Sequence, residues 1–190
     1  MKFVILHGTK ATPEDNWFPW LAYELEKIDH QTIRPQLPTP EGQTPENWVR
    51  GIEEAVANVG GPDEETVFVA HSMSPLAVCL YLEKLNRKVR AAFFIAGFAK
   101  KVGKDEIKKL NAPFVAINPN WSKVRANCPD IICFIGDDDP YVPMEIAQDF
   151  ANKCGAEELI IITNGGHLSA TAGFTKFPQL LEKIKAKFNI

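Results

Sequence analysis

At 190 residues, with 45% apolar and 24% charged side chains, the chain has the composition of a folded globular protein and shows no drift toward a disordered tail. A chain of this length can remove roughly 70% of its unfolded surface from water in one core, so a single α/β domain over residues 1–190 is expected. A formal net charge of −3 lacks the clustered positive field that phosphate backbones require, which speaks against nucleic acid as a partner. No apolar run approaches the ~20 residues of a membrane span, and Phe3 to Leu6 is too short for a signal-peptide core, so a cytoplasmic protein is expected.

The first strand is expected at Phe3 to Leu6, ending in His7-Gly8-Thr9, where glycine permits a tight turn and His7 orients the loop. Trp17, Leu21, Leu25 and Ile28 then recur at helical spacing behind a cap at Asp15 or Asn16. Trp17 falls on the core-facing stripe with Leu21, which leaves Phe18 or Trp20 to wall a pocket, and His30 belongs to the surface at the helix end. A second strand is expected around Thr32 to Arg34 and a helix from Pro45 to Val59. Val67 to Ala70 reads as a buried strand running into His71-Ser72-Met73-Ser74 and at once into a helix over Pro75 to Leu85.

Further strands are expected at Ala91 to Ala96, Ile131 to Ile135 and Leu159 to Ile162, with helices at Pro143 to Cys154 and Phe177 to Phe188. Most of these strand runs are apolar without alternation, as when helices cover both faces of a sheet. Strand and helix alternate, which predicts a mostly parallel sheet of about six strands with ligands gathered at its carboxyl edge. Phe98 to Pro129 resists the pattern and fits either another strand, at Phe114 to Ile117, or an irregular pocket-shaping loop with short helices.

Two compositional features stand apart. Residues 81–110 carry nine lysines and arginines against three acids, read either as a solvated basic face or as a patch for an anionic substrate or protein partner. Cys79, Cys128, Cys133 and Cys154 form no C-x-x-C pair and sit in apolar segments, as buried free thiols do, so no metal site is expected.

The strand-Ser72-helix junction is the context of a nucleophile elbow, in which a strained turn holds a serine hydroxyl above the sheet. The flanking small positions, usually glycine, are Ala70 and Ser74. After the fifth strand comes Gly136-Asp137-Asp138-Asp139-Pro140-Tyr141-Val142-Pro143, and after the sixth Asn164-Gly165-Gly166-His167-Leu168. Serine, aspartate and histidine thus follow one another, each just past a strand end, in the chain order of α/β-hydrolases. A serine hydroxyl needs a histidine to accept its proton and a carboxylate to hold the imidazole, so Ser72, His167 and Asp139 are the candidate triad, with Asp138 and Asp137 as alternative acids. His71 is read as a structural residue of the elbow, directed away from the nucleophile. The backbone N–H groups of Thr9 and Met73 are the candidate oxyanion donors.

On the segments Lys2 to Gly8, Trp17 to Trp20, Ala70-His71-Ser72, Asp139 to Pro143 and Gly165-Gly166-His167, the whole chain resembles the small serine hydrolases related to retinoblastoma-binding protein nine and the bacterial YdeN-like proteins. That resemblance implies a compact α/β-hydrolase fold with sheet order 2-1-3-4-5-6 and no large cap, and triad roles for Ser72, Asp139 and His167. Where the family commonly has glycine after the nucleophile, this chain has Ser74-Pro75.

The expected activity is hydrolysis of an ester or related acyl bond, free or displayed on a larger partner, without a metal or organic cofactor. Phe18, Phe98, Trp121, Tyr141 and Leu168 are the expected pocket residues. A non-catalytic binding or scaffold protein that keeps the fold is the competing reading, since a fold alone does not establish activity.

Overall fold

The computed structural model describes residues 1–190. Six strands, β1 (Lys2–Leu6), β2 (Gln31–Ile33), β3 (Thr66–His71), β4 (Ala91–Ile95), β5 (Ile131–Gly136) and β6 (Glu158–Ile162), form one parallel sheet in the order β2-β1-β3-β4-β5-β6. The α/β-hydrolase architecture expected from the sequence is therefore present. Seven helices accompany the sheet: α1 (Phe18–Glu26), α2 (Pro45–Asn58), α3 (Ser74–Leu82), α4 (Asp105–Val115), α5 (Trp121–Asn127), α6 (Met144–Cys154) and α7 (Pro178–Phe188).

Alternation along the central strands explains how both faces are covered. Neighbouring side chains on a strand point to opposite faces. Phe93 meets Phe188 of α7 with ring centroids 6.1 Å apart, while Phe94 meets Phe150 of α6 at 5.8 Å. Phe68 packs on Tyr81 of α3 at 5.8 Å. Every residue of β3, β4 and β5 is buried, as is every residue of α3. A helix without a polar stripe is stable only where it is enclosed, and α3 lies between the sheet, α2 and α5.

One alternative left open by the sequence is decided and one expectation is corrected. Phe114 to Ile117 is no strand: Phe114 closes α4 and packs its ring on Trp48 at 5.0 Å. Residues 98–129 thus supply a turn and two helices. α1 is capped by neither Asp15 nor Asn16. Asp15 accepts instead from Thr12 N at 2.6 Å and Thr12 Oγ1 at 3.0 Å, while Asn16 Oδ1 accepts from Ala170 N at 2.8 Å. Both side chains therefore tie loops to one another rather than finishing a helix.

The four cysteines are free and buried. Burial holds the thiols of Cys79 and Cys128 well above the ordinary range, and for Cys133 a hydrogen bond with Cys154 acts first. No group of three or more His, Cys, Asp or Glu side chains converges as metal ligands, and no helix is long and apolar enough to cross a membrane.

Candidate active site

Parallel strands in register bring their carboxyl ends to one edge. Leu6 lies beside Ala70, His71 beside Ile95, and Gly136 beside Ile162. The loops after β1, β3, β5 and β6 therefore meet above the sheet, although their residues are far apart in sequence.

Ser72 turns between β3 and α3 with φ of +64°, a left-handed conformation that costs a non-glycine residue about 1–2 kcal/mol. Its N–H donates to Ile95 O at 2.8 Å. Ser74 supplies the rest of the restraint: its Oγ accepts from His71 N at 3.1 Å and faces the carbonyls of Leu6 at 3.1 Å and His71 at 2.9 Å. A hydroxyl thus occupies the usual glycine position with its hydrogen bonds satisfied. Glycine is obligatory instead at position 8, where a Cβ would stand 2.6 Å from Ser72 Cβ.

His167 Nε2 lies 3.0 Å from Ser72 Oγ, and His167 Nδ1 lies 2.8 Å from Asp139 Oδ2. The carboxylate accepts only, so Nδ1 carries the proton and Nε2 is left to accept from the serine hydroxyl. Asp139 has a side chain 0% exposed, and its Oδ1 accepts from the N–H groups of Tyr141 at 2.8 Å and Val142 at 3.0 Å. Its neighbours have other partners: Asp138 Oδ1 accepts from Gly166 N at 2.7 Å, and Asp137 Oδ1 from Asn164 N at 2.8 Å. Asp137 and Asp138 therefore fasten the loop that carries His167, a role the three adjacent acids did not reveal in sequence. A methyl at Gly136 would overlap the Gly166 carbonyl, so these two loops touch backbone to backbone.

Thr9 N and Met73 N donate to no acceptor within the chain. The Thr9 loop is held from both sides. His7 Nε2 accepts from Leu37 N at 2.9 Å and its Nδ1–H donates to Gly8 O at 2.9 Å, with burial depressing its pKa. Thr9 Oγ1 donates to Asn111 Oδ1 at 2.6 Å and accepts from Gln43 Nε2 at 3.0 Å. Gln43 Nε2 also donates to Asn111 Oδ1 at 2.9 Å, and Gln43 Oε1 accepts from Thr39 Oγ1 at 2.6 Å. Gln43 and Asn111 had no local signature, because they reach Thr9 across 34 and 102 residues of chain.

Contrary to its reading as a residue directed away from the nucleophile, His71 lines the cavity beside it. Its ring packs on His167 with centroids 5.0 Å apart, and its Nε2–H donates to His167 O at 2.9 Å. Burial, reinforced by the positive charge that His167 can carry, pushes its pKa down to about 3, so the ring is neutral.

The cavity above Ser72 has a volume of about 540 Å³. Phe98 and Tyr141 line it as expected, and Tyr141 meets His167 edge-on at 5.2 Å. Three other expected wall residues do not. Phe18 is 1% exposed and sandwiched by Trp17 and His71; Trp121 packs on Phe150, 6.1 Å away. The Leu168 side chain is buried, and its carbonyl accepts from the buried Trp17 Nε1 at 2.9 Å. Val102, Gly103 and Ile107, from the segment that was ambiguous in sequence, join the wall, together with residues of the loops after β1 and β6 such as Asn16 and Ala170.

A parallel sheet in this order, with a strained serine after its third strand and a hydrogen-bonded Ser–His–Asp arrangement at its carboxyl edge, defines an α/β-hydrolase. The family described as serine hydrolase matches residues 3–186, and the chain belongs to it. Among its relatives, the serine hydrolase RBBP9 of Rattus norvegicus is 28% identical over 172 residues, covering 90% of this chain and 85% of that protein. The protein YdeN of Bacillus subtilis is 26% identical over 187 residues, covering 97% of this chain and 95% of that protein. The crystal structure of YdeN superposes with a TM-score of 0.89 at 25% identity, covering 100% of this chain and 99% of that one. The chain is thus a small serine hydrolase of the esterase-like α/β-hydrolase class.

Proposed function

We propose that Ser72 is the nucleophile of an acyl hydrolase acting on esters, with His167 as general base and Asp139 as the carboxylate that orients it. The continuous relay from Ser72 Oγ through His167 to a buried Asp139, at 3.0 and 2.8 Å, carries this reading. Ser72 Oγ attacks the acyl carbon as His167 Nε2 takes its proton. The N–H groups of Thr9 and Met73 receive the negative charge that develops on the carbonyl oxygen. His167 then returns the proton to the departing alcohol, and a water activated by the same imidazole releases the acyl group from Ser72. Phe98, Val102, Ile107 and Tyr141 offer an apolar wall for the acyl chain. Four free buried thiols favour a reducing compartment such as the cytoplasm.

The test is labelling with a fluorophosphonate, together with hydrolysis of short-chain 4-nitrophenyl esters, for the wild type and Ser72→Ala. Labelling that disappears in the variant, with turnover lowered about 10³-fold or more, is expected. A folded wild type that neither labels nor turns over ester would overturn this role and favour a binding protein built on the fold.

A further inference from the structure

The basic run between residues 81 and 110 divides in the structure. Arg87 reaches Pro62 O at 3.5 Å, and Arg90 lies 5.5 Å from the centroid of the Phe188 ring. The lysines after β4, by contrast, follow the carboxyl edge of the sheet, where the catalytic cavity opens.

Some charges at that edge are matched. Lys100 pairs with Asp149 at 3.2 Å and Lys10 with Glu106. Asp15, the acid on the catalytic cavity wall, is taken up by Thr12. Lys108 is 3.9 Å from Asp105, whose side chain is 96% exposed, so that pair is weak. Lys101 and Lys104 are exposed and have no carboxylate within 4.0 Å.

A second cavity of about 480 Å³ lies beside the first, and the two share Val102, Gly103, Lys104 and Tyr141. Lys101, Lys104 and Lys108 face it, its remaining walls include Pro140, Pro143 and Ile146, and no acid lines it. A molecule reacting at Ser72 can extend past Gly103 and Tyr141 into this cationic annex.

We propose that the annex binds an anionic group, a carboxylate or phosphate, at the far end of the substrate, and that Lys101 and Lys104 thereby select negatively charged esters. This rests on the reading of Ser72 as the nucleophile. Like-signed lysines held at one rim repel one another, and a bound anion relieves that repulsion as well as gaining attraction. The annex is open to water, so the preference falls as salt shortens the screening length.

Two matched ester pairs test the proposal at low ionic strength. The first pair, 4-nitrophenyl valerate and 4-nitrophenyl hemiglutarate, places the anion on the acyl side. The second pair, phenyl acetate and 4-acetoxybenzoate, places it on the leaving group. In at least one pair the wild type is expected to favour the anionic ester in kcat/KM, on the order of 10-fold, with the preference lost in Lys101→Glu/Lys104→Glu and in high salt. Turnover without charge preference in either pair, or a preference that survives the double substitution, overturns the anion site and leaves the hydrolase reading intact.

Binding of glutaric acid monoanilide to the Ser72→Ala protein, measured by calorimetry, needs no turnover. If no ester is cleaved, binding that disappears on Lys101→Glu/Lys104→Glu upholds the anion site while the nucleophile reading fails, and absence of binding overturns both.

Discussion

Asp139 and Asp138 are adjacent, yet one faces His167 Nδ1 at 2.8 Å and the other holds the backbone N–H of Gly166 at 2.7 Å. Successive side chains in a tight turn diverge, so a single residue of register separates an acid that meets the imidazole from one that fixes the loop beneath it. On the proposed roles, Asp139→Asn presents an amide N–H or a weaker acceptor to Nδ1 and favours the wrong tautomer. A loss of about 10³- to 10⁴-fold in kcat is expected. Asp138→Asn keeps an acceptor for Gly166 N and should stay within about 10-fold of wild type. Steady-state hydrolysis of 4-nitrophenyl acetate by both variants decides the assignment; a greater loss in Asp138→Asn would reverse it.

The link from Gln43 and Asn111 to Thr9 predicts a different kinetic signature. Gln43→Leu removes one donor to Thr9 Oγ1 and strands the Thr39 hydroxyl, so the loop bearing the Thr9 amide should loosen. Since loss of a whole oxyanion donor costs about 10²- to 10³-fold, loosening one should lower kcat by roughly 10-fold, with KM moving less than about twofold. A change confined to KM, or to thermal stability alone, would detach this network from the oxyanion loop.

Ser74 permits a test of how the elbow tolerates a hydroxyl in place of glycine. Ser74→Gly removes the hydrogen bonds to His71 N and the neighbouring carbonyls, with an expected loss of about 0.5–1.5 kcal/mol and kcat retained within a few-fold. Ser74→Val loses the same hydrogen bonds and should be worse, because it also adds a methyl group to a fully buried site where glycine leaves room. Urea unfolding of the two variants, read beside their esterase rates, separates the effects.

His71 sets a pH dependence of stability. Its folded pKa is depressed to about 3 by burial, while the unfolded chain takes up the proton near 6.5. As pH falls below about 6.5 the unfolded state binds the extra proton, so stability declines by up to roughly 1.4 kcal/mol per pH unit until the folded group also titrates. His71→Gln should flatten this limb between pH 6.5 and 4, although it costs stability at pH 7. Parallel urea titrations at several pH values measure the slope; an unchanged slope would assign the acid sensitivity elsewhere, with His7 the next candidate because burial lowers its pKa as well.

What could be read from the chain by itself was local and periodic. Unbroken apolar runs of strand length mark β3, β4 and β5, because a strand covered on both faces needs no polar positions. The abrupt passage from Ala70 through Ser72 to Pro75 marks the turn, since a strained elbow must fall between two well-formed elements. Strand order came from family resemblance, as periodicity says nothing about which strands are neighbours.

Tertiary structure decided everything that depends on side-chain direction and on contacts across long stretches of chain. Phe18 and Leu168 lie close in sequence to site residues but turn into the core, because burying a large apolar side chain is favourable by about 1.5–3 kcal/mol, while Trp121 packs half-buried on Phe150 away from the cavity. Phe114 to Ile117 has the composition of a strand, yet the sheet's place beside β4 belongs to β5, and Phe114 instead closes α4 against Trp48. The division among three aspartates, the Thr9–Gln43–Asn111 network and the gathering of Lys101, Lys104 and Lys108 around one cavity are likewise invisible in one dimension. Hydrogen bonds and electrostatic fields act through space, and only the folded chain brings these groups within their range.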